Sequence, residues 1–291
     1  MDLTQRPPWS KKSIDRVGRA IRNDQPFDQD KYMQFLLWSG DIIDEIQRLI
    51  QTTLEINDRM EITIPTQGIR VIEKVPVKLT GRPKTLDTTR EKLRRMPEFQ
   101  LSRIQDICGL RLDGDFSLDQ QDLIVSRLQD VFLRAGAQNV EAQDLRETPR
   151  QGYRAVHVNA NFPAGRVEVQ VRTKLQSAWA NAFELLADIY GREIRYERIY
   201  EDPVQSIVTN FQSISDSAYE IDKFINDINR YAIETHEHLL SISKDTGESR
   251  FVQEKFAMIL GNRALAIGNQ IDVVDRLDEQ RDNLISQRVS R

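Results

Sequence analysis

"RQGYRAVHVNANFPAGRVEVQVRT", residues 150–173, holds two runs in which apolar residues alternate with polar ones, broken by Pro-Ala-Gly. Strict alternation is the signature of a half-buried strand, and the proline–glycine break predicts a turn. Between the valines stand His157, Asn159, Glu168, Gln170 and Arg172, not the Thr, Ser and Lys of a merely wet surface. Antiparallel pairing of 155–162 with 166–172 through a turn at Pro163–Arg166 sets Phe162 opposite Val167. Asn161 then faces Glu168, Asn159 faces Gln170 and His157 faces Arg172. A two- or four-residue loop keeps this parity, with Val156, Val158, Ala160, Val169 and Val171 turned to the core; a three-residue loop destroys it. A hairpin with a solvated polar face is the commoner object. Two features weigh against it here: the polar residues are ligand and catalytic types, and "RQGY" places a glycine where backbone can approach a ligand. Tyr153 follows, placed to stack on a base.

Working outward, further strands are predicted near 70–80, 105–114 and 139–146, with helices at about 86–95, 118–135 and 174–190. That is an α/β (α+β) fold, a small mixed sheet of about five strands flanked by helices. Upstream, Leu36, Ile43, Ile46 and Ile50 fall at helical spacing within 28–57, and a shorter helix is expected at Ser13–Ile21. After Pro203, Val204, Ile207, Phe211, Ile214, Ala218, Ile221, Ile225, Ile228 and Ala232 are spaced three and four apart. This is the seam of a helix packed along its length on another. The partner is either the helix Phe251–Leu284, folded back across "SKDTGES", or a second subunit in a homo-oligomer. The chain divides into N-terminal helices (1–60), a core (61–200) and a C-terminal helical region (201–291).

Composition sets bounds. With 39% hydrophobic and 30% charged residues over 291 positions, no apolar run approaches the roughly 20 residues that cross a bilayer. The start, "MDLTQRPPWSKKSIDRV", has no apolar stretch after its charges, so a cytoplasmic location is expected. The single cysteine, Cys108, excludes an internal disulfide and a Cys-rich zinc site, and reads as core. A net charge of −4 argues against a general nucleic-acid coat. The local basic segment 70–96 suits a phosphate-bearing small ligand, although a solvated helix face accounts for the charge alone equally well.

"GYRAVH", "VEVQVRT" and "LQSAWA" in order resemble the synthetase domain of the RelA/SpoT family, as do "GRPKTLDTTREKL" and "DICGLR" upstream. The resemblance covers roughly residues 75–197. Length and flanking helices look like the stand-alone small alarmone synthetases. It implies pyrophosphate transfer from ATP to the 3′-hydroxyl of GDP or GTP, with Mg²⁺. It further implies Asp106 and Glu168 as metal carboxylates, Glu168 instead or also helping to deprotonate the hydroxyl. Arg82, Lys84 and Lys92 would serve the donor, with Arg82 and Arg111 sandwiching adenine. Tyr153 would stack on the acceptor base, with His157, Gln170 and Arg172 nearby. Strand parity supports Glu168 directly; Asp106 falls in phase with Cys108 and Leu110, so its role rests on the motif.

Two departures from the family pattern fall near the acceptor half. The loop before Tyr153 is "TPRQGY", one residue shorter than the family's Pro-Lys-x-Asn-Gly-Tyr, so Arg150 replaces the lysine or Arg146 reaches in. Phe183 and Glu184 stand where the family has Glu-His. The acceptor is therefore the less secure half, which keeps open a toxin-type relative acting on adenosine nucleotides or the 3′ end of tRNA, with an antitoxin as partner. A non-catalytic nucleotide sensor or assembly module is the alternative from another class. His236 and His238, two apart on a predicted helix, point to different sides and form no metal pair.

Overall fold

The helices of the central part of the chain begin where the sequence offers a side-chain cap. Thr85, Ser117 and Thr173 accept hydrogen bonds from the backbone three residues on, the last two as complete capping boxes with Gln120 and Gln176. In the computed structural model, which describes residues 1–57, 59–65, 70–196, 201, 204–241 and 247–289, the elements follow in order. They are α1 (Lys11–Arg22), α2 (Gln29–Thr53), β1 (Arg59–Pro65), β2 (Arg70–Pro83), α3 (Leu86–Arg95), β3 (Cys108–Gly114), α4 (Leu118–Arg134), β4 (Asn139–Asp144), β5 (Val156–Asn161), β6 (Arg166–Thr173), α5 (Lys174–Tyr190), α6 (Val204–Ser241) and α7 (Gly247–Val289).

The strands form one mixed sheet in the order β1-β2-β3-β6-β5-β4, with only β3 and β6 parallel. It has six strands where the alternation predicts about five. The extra one, β1, is an edge strand whose Met60 and Ile62 are fully buried. The turn between β5 and β6 is tighter than expected. Phe162 and Gly165 exchange backbone hydrogen bonds of 2.9 and 3.2 Å around a two-residue loop, Pro163–Ala164. Phe162 thus opposes Gly165, not Val167, and every pair moves by two: Asn161 faces Arg166, Asn159 faces Glu168 and His157 faces Gln170. Distant groups clamp this loop, since the Ala164 N–H donates to the Leu3 carbonyl and the Trp38 indole donates to the Ala164 carbonyl at 2.9 Å. A slip of two residues keeps every side chain on its face, so the apolar row Val156, Val158, Ala160, Val167, Val169, Val171 is buried as expected.

That apolar face packs with α1, α2 and α4 in one core. A second core joins α5 to the C-terminal helices through Trp179, Phe183, Phe211, Leu277 and Leu284, and a third joins Ile225 and Ile228 of α6 to Ile259 and Ala266 of α7. The α6 seam is therefore filled from within the chain; the connection at 242–246 lies outside the described residues. Where α6 crosses the start of α5, Asp222 is buried, with the Thr173 hydroxyl donating to its Oδ2 at 2.7 Å. Burial, reinforced by the negative charge of Asp115, pushes the Asp222 carboxyl up to about 7. With its carboxyl pKa raised, Asp222 stays neutral in the fold up to about pH 7; its contribution to stability is complete below the unfolded value near 3.8 and is lost as pH climbs to 7. Thermal unfolding between pH 5 and 8 should show the melting temperature falling for the wild type and nearly flat for Asp222→Asn; parallel curves would refute the buried neutral acid.

Candidate active site

The site grows from the polar face of the four central strands. Reading across one ladder, Arg82 of β2 opposes Gly109 of β3, Gly109 opposes Glu168 of β6, and Glu168 opposes Asn159 of β5. The next ladder runs Thr80, Arg111, Gln170, His157. Residues aligned this way share a face, so the functional types converge by register alone. Gly109 leaves a gap between Arg82 and Glu168. A Cβ there would meet nothing nearer than the Asp106 carbonyl, at 3.4 Å, so the gap is open to a ligand.

At one edge of the gap stands Asp106, which precedes β3 in a 3₁₀ turn (Gln105–Ile107) with φ −84° and ψ 19°. The predicted strand 105–114 begins at Cys108, so alternation says nothing about where Asp106 points. Its carboxylate takes Lys84 Nζ on one oxygen and Lys92 Nζ on the other, each at 2.7 Å. Burial works against the charge on Asp106, yet the two ammonium groups hold its pKa below the ordinary carboxylate range. Lys84 directly follows β2 and Lys92 lies two turns into α3, so one carboxylate ties the two lysines together.

Glu168 faces this cluster from β6, with its side chain 13% exposed. Gln170 Nε2 donates to its Oε1 at 2.9 Å, and His157 Nδ1 stands 3.6 Å from its Oε2. Burial and the nearby Asp106 charge raise its pKa, but the His157 ring and the Gln170 amide hold it below the ordinary value. The Tyr153 hydroxyl completes the cluster, donating to Gln170 Oε1 at 3.1 Å and lying 3.0 Å from His157 Nε2. Its one proton goes to Gln170, whose amide is oriented by the Glu168 carboxylate, so His157 donates from Nε2. Burial pushes the Tyr153 phenol up, and its ring meets His157 edge-on at 5.7 Å. The Asn159 Oδ1 beside Glu168 is buried without a hydrogen-bond partner among the described residues. Its place in the alternation is the only sequence signal for it.

Other candidates lie elsewhere. Arg172 is 1% exposed, and its guanidinium is held by both oxygens of Asp113 at 2.7 and 2.9 Å, one ladder beyond Gln170 instead of beside His157. Arg146 does not reach in: it is fastened to Asp122 and Asp144, each at 2.6 Å. Arg150 is exposed beside the Tyr153 turn. In that turn Gln151 (φ 52°) and Gly152 (φ 85°) both adopt positive φ, so Arg150 and Tyr153 can bridge. Gly152 serves packing and not a ligand, because a Cβ there would stand 2.8 Å from Trp179. Phe183 is core, stacked on Trp179 at 4.7 Å. Glu184 pairs with Arg111 at 2.5 Å, a contact that sequence spacing could not announce across 73 residues. Cys108 is buried, and burial pushes its thiol up to about 12, so it is inert core.

Asp106 and Glu168 are carboxylates at the edges of the Gly109 gap. No group of three or more His, Cys, Asp or Glu among the described residues is arranged to hold a cation by itself. The donor set fits a hard ion that takes its remaining ligands from phosphates and water. No described helix is long and apolar enough to cross a membrane.

The family model for the region found in RelA / SpoT proteins matches residues 81–190, the span from the end of β2 to the end of α5. Uncharacterized proteins of Mycobacterium tuberculosis and Mycobacterium bovis are each 43% identical to the chain over 210 residues, covering 72% of it and 70% of their own length. The crystal structure of small alarmone synthetase 1 from Bacillus subtilis superposes with a TM-score of 0.51 at 22% identity, over 70% of this chain and 99% of that one, which shows a shared fold. With the motif residues gathered on one face of that fold, the chain belongs to the RelA/SpoT family, at the family level a family of (p)ppGpp-type pyrophosphotransferases.

Proposed function

We propose that this cleft transfers pyrophosphate from ATP to the 3′-hydroxyl of a guanosine nucleotide, GDP or GTP, releasing AMP. The observation that carries the reading is the convergence of Glu168, Asp106, Lys84 and Lys92 around the Gly109 gap. The acceptor 3′-oxygen attacks the β-phosphorus of ATP, the bond from that phosphorus to the oxygen bridging to the α-phosphate breaks, and AMP leaves with that oxygen. Glu168, held as a carboxylate, takes the hydroxyl proton. Lys84 and Lys92, paired to Asp106 in the free chain, turn to the phosphates, where positioning and charge neutralisation are most of what phosphate transfer asks of a protein. Mg²⁺ held by Asp106 and Glu168 would supply further neutralisation of phosphate charge. Arg82 and Arg111 are diagonal neighbours in the β2–β3 ladder, a spacing of about 7 Å that admits one planar ring with about 3.5 Å contact on each side.

On the acceptor side Tyr153 supplies the stacking ring, His157 and Gln170 fix its hydroxyl, Arg150 provides an exposed cation at the mouth, and Arg172 acts through position, by bracing β6 against β3. Tyr153→Ala should raise the acceptor KM by roughly 10- to 100-fold, the worth of one stacked base. Tyr153→Phe, which keeps the ring, should raise it far less; equal effects would remove stacking from the account. The deciding assay offers γ-labelled ATP with GDP, GTP, AMP, ADP, ATP or deacylated tRNA in separate tubes. Label moving to GDP or GTP supports the reading. Label moving only to adenosine nucleotides or tRNA establishes the toxin-type acceptor, with an antitoxin then expected. Bound nucleotide with no transfer to any acceptor establishes the sensor.

A further inference from the structure

A cavity of about 530 Å³ lies away from the Gly109 gap, at the end of the sheet where the β5–β6 turn meets α2 and the N-terminal segment. That volume is in the range of small-molecule pockets, roughly 300–1,000 Å³. Its walls are of two kinds. Trp9, Phe35 and Trp38 are half-buried and pack edge-on, Trp9 standing 6.2 Å from Phe35 and 5.8 Å from Trp38. Arg6, Lys11 and Arg166 bring three cations, and no carboxylate lines the cavity among the described residues. Such a wall is unexpected in a chain with net charge −4.

Arg166 is the informative member. It is half-buried, has no ion pair among the described residues, and its pKa is pushed down by burial and by the Arg103 guanidinium beside it. A partly desolvated cation facing another cation is a cost that a bound anion would relieve. Ser10, the N-cap of α1, opens onto the same space, so the positive end of a 12-residue helix adds to the field. The cavity is distinct from the catalytic cleft. It shares one wall with it, the Asn161–Arg166 pair, one rung of about 7 Å beyond the Asn159–Glu168 pair. The other walls come from residues 6–11, α2 and the apolar residues Leu101, Ile104, Ile107 and Cys108; Cys108 pairs with Val167 beside Glu168, so the two spaces adjoin, and none of Lys84, Lys92, Asp106, Tyr153 and Glu168 lines the cavity.

We propose that this cavity is a second binding site, for an anion carrying a flat ring and of mononucleotide size: the rings of Trp9, Phe35 and Trp38 take the planar part, and Arg6, Lys11 and Arg166 take the phosphate. Neither half suffices alone. The aromatic wall would accept any apolar body, and the cations any anion; their meeting in one space selects a ligand with both.

Two of the chain's three tryptophans line the cavity, so binding is read by intrinsic fluorescence. AMP is titrated into the full-length wild-type protein, with adenosine and inorganic phosphate in parallel. The expected result is saturable quenching by AMP, with adenosine and phosphate each at least about tenfold weaker. Arg6→Gln with Lys11→Gln, both exposed and so harmless to the fold, should raise the AMP Kd at least about tenfold; Trp9→Phe should remove a large part of the signal. Arg82→Ala with Arg111→Ala, which removes the proposed adenine sandwich of the cleft, should leave the quenching intact. Phosphate matching AMP, an unchanged Kd in the Arg6/Lys11 variant, an unchanged signal in Trp9→Phe, or loss of quenching in the Arg82/Arg111 variant would each overturn the assignment. The readout is binding and not turnover, so absent transfer with intact quenching counts against the proposed reaction alone.

Discussion

Glu168→Gln should lower kcat for pyrophosphate transfer by at least about a thousandfold while the ATP Kd changes less than about threefold. The substitution is nearly isosteric, and Gln retains a hydrogen bond to Gln170 and a place opposite Asn159. What it removes is a charge lying in the shared field of Asp106 and His157. In the proposed reaction, ground-state ATP binding draws instead on Lys84, Lys92, Arg82 and Arg111, none of which bonds to Glu168 among the described residues. Single-turnover kinetics with labelled ATP, alongside equilibrium binding, separates the two quantities. Wild-type turnover in the variant would show that another group takes the proton, and a parallel loss of ATP binding would make Glu168 a binding residue.

Arg172→Leu should destabilise the fold by about 3–5 kcal/mol, the usual cost of removing one partner from a buried ion pair. Arg172 is almost fully buried, and its guanidinium spans the parallel β3–β6 junction to both oxygens of Asp113. Without it the Asp113 carboxylate stays in place with no counter-ion. Asp113→Asn combined with Arg172→Leu should recover part of the loss, because the stranded charge is gone. Urea unfolding of the four proteins completes the cycle. If Arg172→Leu leaves stability unchanged and raises only the acceptor KM, the residue touches substrate and does not brace the sheet.

These two residues show where local pattern ends. Both lie at alternate positions of β6, and a period of two places both on the polar face without further information. Their different work follows from what stands opposite. Glu168 opposes a glycine on β3 and so borders a gap, whereas Arg172 opposes Asp113 and closes an ion pair. Opposition depends on register: across the parallel β3–β6 pair no turn sets it, and across β5–β6 it follows the length of the turn. The tight Pro163–Ala164 loop is held by Leu3 and Trp38, residues that the alternation in 150–173 does not include.

By itself the sequence determined most of the strands and helices (β1 and the 3₁₀ turn at 105–107 excepted), which side of the β5 and β6 strands is apolar, and which motif residues belong together. Those properties are periodic or local, and each is written within a dozen neighbouring residues. Only the tertiary structure decided the two-residue register, the 3₁₀ turn that aims Asp106 at Lys84 and Lys92, the pairing of Arg111 with Glu184, and the aromatic, cationic cavity under the N-terminal segment. Each of these joins groups far apart in the chain. Their contact energies exist only once the sheet has brought them within a few ångströms, and no local pattern encodes that distance.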